Sequence, residues 1–561
     1  MAYQTSTEQI LLLNNLLYFN NTGPVKTFLD EGNEGMTVGE YVDRVLNNGS
    51  FDFEQASGDT MTAKEYKELL TAVKNDNTLS RLVIEDVHID QTSGAGGKSA
   101  LFVDPVSNEA IVAFKGTEAA QEWADNFSGV SATDGSDGVS TELQESALKW
   151  YQDKVKDGGY SNITVTGHSK GGNKAKYITL MDDSVDRCIS HDGQGFSDEF
   201  VEKYADNIAK NQYKITNHNT DNDFVNILLN DVGDTHYYKG NKDSFGQMGF
   251  AENHAPNAFM FFDENGGMRI TETKQEPGMK ELDLMLNSYI RSVPKEDRQK
   301  TGAMLAEVIN LMYSNASDDE KLNKLVELFA KEKYRQESAN LLAYILDYKS
   351  KYPQVISDVK RILNENGMGS FVDAVNKFDE ISSAWYFNTL VWCLAHFPDA
   401  TIAVAEFFKL ADVPDWVKKL LKDHPEILEL LKSMLDARGR VDPDRESGKD
   451  IVIESTHQEL LSCSNRFSID PVVISTCCKQ LQGQGEELLG ISRRILSDII
   501  PDLDYTVRLH VKATLLLCGV NTLRCAGKVN VLGNTLEQID RLYVDTEEKV
   551  AAGIMTPKFS G

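Results

Sequence analysis

At 561 residues the chain is too long for one hydrophobic core and implies roughly two to four domains. Hydrophobic residues make up 41% and charged residues 25%, an ordinary balance that excludes wholesale disorder. Of the formal net charge of −29, most lies in residues 1–283, which hold 46 acidic against 23 basic side chains; this excludes a nucleic-acid binder and resting attachment to anionic lipid.

Taken in chain order, the N-terminus carries no pattern of a secretory signal. Its first basic residue is Lys26, and the apolar run 10–13 is broken by Asn14 and Asn15. Residues 98–103 and 109–116 read as a strand pair around the turn Asp104-Pro105-Val106-Ser107-Asn108. Residues 142–155 have helical spacing, 163–166 read as a short buried strand, and 170–181 as a helix directly after it. Residues 187–191 and 214–217 are further strands. The alternation predicts an α/β domain with a mostly parallel sheet over residues 1–283.

Beyond Pro277 the strand signals stop, and amphipathic helices follow, among them 304–313, 322–329 and 417–435. The most apolar stretch, 384–397 (AWYFNTLVWCLAHF), is too short to span a membrane and reads as a buried helix, with a lid as the alternative. A polar break at 438–450 (RGRVDPDRESGKD) marks a boundary, which gives a helical domain 284–440 and a second helical region 441–561. The last block is expected to be helical from Ile451 onward. Five of the seven cysteines (Cys463, Cys477, Cys478, Cys518, Cys525) lie in it without CxxC spacing, so they read as small core residues made in a reducing cytoplasm. No phosphate-binding loop or metal-ligand cluster is legible, and no cofactor is expected.

The chemistry centres on Gly167-His168-Ser169-Lys170-Gly171, set between a strand and a helix. Glycines on both sides permit a turn sharp enough to lift the serine hydroxyl clear of the sheet. The N–H of the next residue then faces a developing oxyanion. Ser169 is the expected nucleophile. His168, inside the turn, is expected to face away from the attack site.

These residues, with Ala110-Ile-Val-Ala-Phe-Lys-Gly-Thr117 followed by Trp123 and Asp125, resemble the class 3 lipase family of α/β-hydrolases over residues 99–262. The resemblance implies an oxyanion hole from Thr117 and the Lys170 N–H. Its acid segment aligns on Asp223-Phe-Val225, with Asp221 as the rival. Its base falls at His254, before an apolar run, with His236 as the rival, since His191 and His218 lie at strand edges before or beside the acid. The expected reaction is acyl transfer: His254 deprotonates Ser169, which attacks an ester carbonyl, and water releases the acyl-enzyme. The Lys170 ammonium reads either as a contact for an anionic head group or as a solvated helix-start lysine. Two departures stand out: a short Asp223–His254 interval, and a polar stretch after Asn126 where many such lipases have an apolar lid. Residues 224–229 or the helical domain are the alternative lids.

The C-terminal block resembles the helical hairpins of WXG/LXG proteins exported by type VII secretion systems, with Tyr543-x-x-x-Glu547 similar to their export signal and no Trp-x-Gly turn. The whole chain thus resembles a type VII-secreted lipase toxin with reversed domain order. That implies phospholipase A activity on membrane phospholipid, small helical WXG-like partners, an immunity protein, and Sec-independent secretion. The alternatives are a cytoplasmic carboxylesterase with a helical regulatory domain, and an inactive hydrolase-fold binding protein.

Overall fold

The structure is a computed structural model that describes residues 5–18, 33–49, 51, 53, 61–90, 97–116, 135–241, 253–262 and 267–456, the last range without 313, 315, 366–367, 385–386, 388, 391–392, 395–398, 411–413, 424–425, 438–439 and 442. Contacts group residues 3–462 into one compact unit; the other, residues 1–2 with 463–561, lies outside the described residues.

Seven strands follow one another: β1 (Val83–Asp90), β2 (Gly97–Val103), β3 (Glu109–Phe114), β4 (Asn162–His168), β5 (Arg187–His191), β6 (Ile215–Thr220) and β7 (Asp234–Tyr238). The short β8 (Phe261–Phe262) and β9 (Met268–Arg269) pair with each other, and β10 (Glu272–Thr273) joins the main sheet. The eight-stranded order is β1-β2-β3-β4-β5-β6-β7-β10, antiparallel at both edges and parallel from β3 to β7. The parallel centre reads as continuous apolar runs because helices cover both faces. In β3 the side chains alternate between two cores. Ala110, Val112 and Phe114 pack beneath the helices α2 (Glu142–Lys154) and α3 (Lys170–Met181), with Trp150, Tyr151 and Ile178. Ile111 and Ala113 face the opposite layer, which holds Ile10, Leu11 and Leu13 of the N-terminal helix α1 (Thr7–Leu16).

From Pro277 onward the described residues up to Ala437 form helices without strands, beginning with α4 (Pro277–Ser292). A single large apolar cluster fills this region, and it includes Phe224, Val225, Ile227, Leu228 and Leu229 from the segment after β6. Those residues are therefore packed core rather than a free lid. In the 384–397 stretch, the described Phe387, Leu390, Cys393 and Leu394 are buried in the same cluster.

Two expectations are corrected. The predicted helix 417–435 is two helices, Asp415–Asp423 and Glu426–Ala437. In the sequence Pro425 falls between them, and a proline inside a continuous helix would remove an N–H from the ladder and clash with the preceding turn. The chain is not helical at Ile451. Residues 451–456 run without helix or strand beside the α/β layers, with the Ile451 N–H donating to Asn230 Oδ1 at 2.8 Å and the Thr456 N–H to the Ala209 carbonyl at 2.9 Å. Ile451 and Ile453 pack on the core beneath α2 and α3. Among the described residues no helix is long and apolar enough to cross a membrane.

Candidate active site

β4 ends at His168 and α3 begins at Lys170, which leaves Ser169 alone to turn the chain. It does so at φ 60° and ψ −128°, a region that a side-chain-bearing residue occupies at a cost of about 1–3 kcal/mol. The surroundings enforce it. The Ser169 N–H donates to the His191 carbonyl at 2.9 Å, and its own carbonyl accepts from the Asn173 N–H at 3.2 Å. The turn fits only because its flanks lack side chains: a Cβ on Gly171 would stand 2.0 Å from the Phe114 carbonyl oxygen, and one on Gly167 2.4 Å from Gly171 backbone. The result is a serine at the C-terminal edge of a parallel sheet and the N-terminus of a helix, 2% exposed.

After β6 the chain turns at Thr220 and presents Asp223, fully buried. Its Oδ1 accepts from the Val225 N–H at 3.2 Å and its Oδ2 from the Asn226 N–H at 3.1 Å, so the following backbone orients the carboxylate. His254 lies between this acid and the serine. Its Nε2 is 2.7 Å from Ser169 Oγ, and its Nδ1 is 3.0 Å from Asp223 Oδ1. Burial alone would depress the imidazole's pKa. The charge and hydrogen bond of Asp223, together with the charge of Asp192, outweigh that and raise it. The rivals are elsewhere. Asp221 pairs with Lys239 at 2.9 Å and accepts from the Gly240 N–H. His236 sits on β7 between Glu272 and Asp234.

Sequence reasoning missed Asp192. It follows β5 at φ 46°, is fully buried, and accepts at Oδ1 from the Thr220 N–H (2.6 Å) and Asn226 Nδ2 (2.9 Å). Its Oδ2 accepts from Thr220 Oγ1 at 2.8 Å. The residue thus buttresses the turn that carries Asp223. Burial and the neighbouring Asp223 charge push its pKa up to about 7. A charged residue ending an apolar strand before a glycine was the one available signal.

His168, His191 and Asp192 gather ligand atoms within 4.8 Å of one another. His168 Nδ1 is engaged by Tyr18 Oη at 2.6 Å and both Asp192 oxygens accept hydrogen bonds, so two of the three groups are already committed to protein partners. Burial holds both imidazoles well below the ordinary histidine pKa and hence neutral. His168 does not face away: its ring lies 4.7 Å from that of His254. The Lys170 side chain is fully buried, which overturns the solvated reading. Thr117, Tyr543 and Glu547 lie outside the described residues.

The sheet order and the strand-turn-helix around Ser169 define a lipase-like α/β fold. Residues 89–306 match the Mbeg1-like family. Among solved structures, the chain is similar to the Lip2 lipase from Yarrowia lipolytica, at 12% identity and a TM-score of 0.26, over 50% of this chain and 88% of that one. The Rhizomucor miehei lipase in its propeptide complex is similar at 11% identity and a TM-score of 0.22, over 43% and 68%. A mutant form of MDLA from Penicillium cyclopium follows at 10% and 0.25, over 47% and 84%. No curated protein sequence matches the chain.

Proposed function

We propose that the chain is a serine hydrolase of carboxylic esters that works through an acyl-enzyme on Ser169. The supporting observation is the relay itself: a serine on a strained turn, 2.7 Å from an imidazole whose other nitrogen stands 3.0 Å from a buried carboxylate. His254 takes the serine proton through Nε2. Asp223 keeps Nδ1 protonated and stabilises the imidazolium without taking the proton. The Lys170 N–H, first in α3, is one oxyanion donor, favoured by the helix N-terminus, and Thr117 is the second.

Within that class the substrate is proposed to be a phospholipid acyl ester, with the chain acting as a type VII-secreted antibacterial toxin. The region 441–561 would carry the export signal Tyr543/Glu547 and dock WXG-like partners. These finer readings rest on the sequence resemblance. The direct test is an activity-based fluorophosphonate probe with a lipid-product profile. Labelling of wild type that disappears in Ser169→Ala, with fatty acid released from phospholipid, is the expected result. Absence of labelling defeats the enzyme reading, and labelling with only short esters turned over defeats the phospholipase reading. Deleting residues 543–561 should stop export from the native host; unaltered secretion overturns that assignment.

A further inference from the structure

α1 lies outside the family-matched span 89–306, yet its polar end reaches three parts of the site. Asn14 Nδ2 donates to Thr166 Oγ1 on the nucleophile strand at 2.9 Å. Asn15 Nδ2 donates to the Pro256 carbonyl at 3.0 Å, two residues beyond His254. Tyr18, just past the helix end, makes the most consequential contact. Its hydroxyl oxygen accepts from the Gly116 N–H at 2.9 Å and lies 2.6 Å from His168 Nδ1. Gly116 immediately precedes Thr117, and it makes room for this approach, since a Cβ there would meet Tyr18 Oη at 2.5 Å and Ser169 Cβ at 2.8 Å.

The contact with His168 Nδ1 carries one proton, given by the tyrosine when the imidazole is protonated at Nε2 and by the ring when it is protonated at Nδ1. Burial keeps that ring neutral with a single proton, and a phenol hydroxyl donating to Nδ1 places that proton on Nε2. The His168 and His254 imidazole rings are 4.7 Å apart. One hydroxyl therefore ties the strand leading to the oxyanion loop to the residue that backs the general base. Without it, a buried N–H loses its acceptor and the His168 ring is free to adopt the other tautomer.

We propose that Tyr18 is a positioning residue of the active site, whose hydroxyl fixes the tautomer of His168 and so aligns His254 on Ser169. The proposal rests on the serine-hydrolase reading of that site. It assigns Tyr18 no contact with substrate.

The test uses the full chain as wild type, Tyr18→Phe, His168→Gln, the double variant and Asn15→Ala. Each is followed by fluorophosphonate labelling rate, ester kinetics, thermal midpoint and histidine-selective 15N spectra. Tyr18→Phe should slow labelling and kcat by about 10- to 100-fold with KM unchanged, and should remove the Nε2–H signature of His168. The double variant should be no slower than His168→Gln alone, because the tyrosine acts through that ring. Asn15→Ala loosens α1 while leaving the hydroxyl in place, so it should retain the tautomer signature. Labelling of Tyr18→Phe at the wild-type rate, losses that multiply in the double variant, or equal loss of the signature in Asn15→Ala would each overturn the proposal while the hydrolase reading stands. Failure of wild type itself to label Ser169 removes both.

Discussion

The sheet half and the helical half bury very different side chains. Around β4, β5 and β6 the interior holds Asn14, His168, Lys176, Asp192, Asn217 and Asp223, each inaccessible to water or nearly so. The helices from Pro277 to Ala437 bury chiefly Leu, Ile, Phe and Tyr in one continuous cluster, with a few polar residues such as Asn287 and Asn340 among them. A buried polar group is costly unless its partners are in place, so the first half sacrifices stability for fixed geometry. Apolar packing is non-directional and forgiving, so the second half contributes stability with little positional demand. Substitutions in the two halves should therefore separate turnover from folding.

The sharpest case is Ser169→Ala, which should lower kcat for a chromogenic ester on the order of a million-fold and leave the melting midpoint within a few degrees. Asp223→Asn should cost on the order of ten-thousand-fold, because the amide no longer holds the productive tautomer of His254. If either variant unfolded instead, the separation would fail on its polar side. Leu325→Ala, at a fully buried position between helices, should cost about 3 kcal/mol in urea unfolding while kcat of the folded fraction is unchanged. A fall in kcat would break the contrast from the other side. The smallest effect concerns Asp192. His254 must be neutral to act as base, and activity falls as it gains a proton. The Asp192 charge helps hold its pKa up. Asp192→Asn should therefore move the acidic limb of the kcat/KM profile to lower pH, by about half to one unit. An acidic limb that stays in place would show that Asp192 bears on the turn alone.

What was legible in the sequence follows the same division. Strands, the elbow and α3 were readable because they depend on local spacing, and the α3 expectation of 170–181 coincides with Lys170–Met181. Asp223 and His254 were reached through resemblance; their meeting depends on a fold that brings residue 254 within 2.7 Å of residue 169. Asp192 and Tyr18 were missed because each works through partners that only folding assembles, Tyr18 across 150 residues to His168. One clue was present and read for another purpose. Asn14 and Asn15 break the apolar run of α1, and that break is where the helix bonds to the site. Pro425 was likewise visible, and its effect was outweighed by the apolar periodicity on either side.

The five apolar residues from Phe224 to Leu229 that join the helical cluster begin directly after the acid. The Phe224 ring also lies 5.8 Å from that of His254. A fragment cut at the last strand would bring those side chains into water and release the turn that carries Asp223. The smallest portion able to hold the Ser169–His254–Asp223 relay is thus wider than the sheet, and an attempt to trim this chain must carry along helices that supply none of its three members.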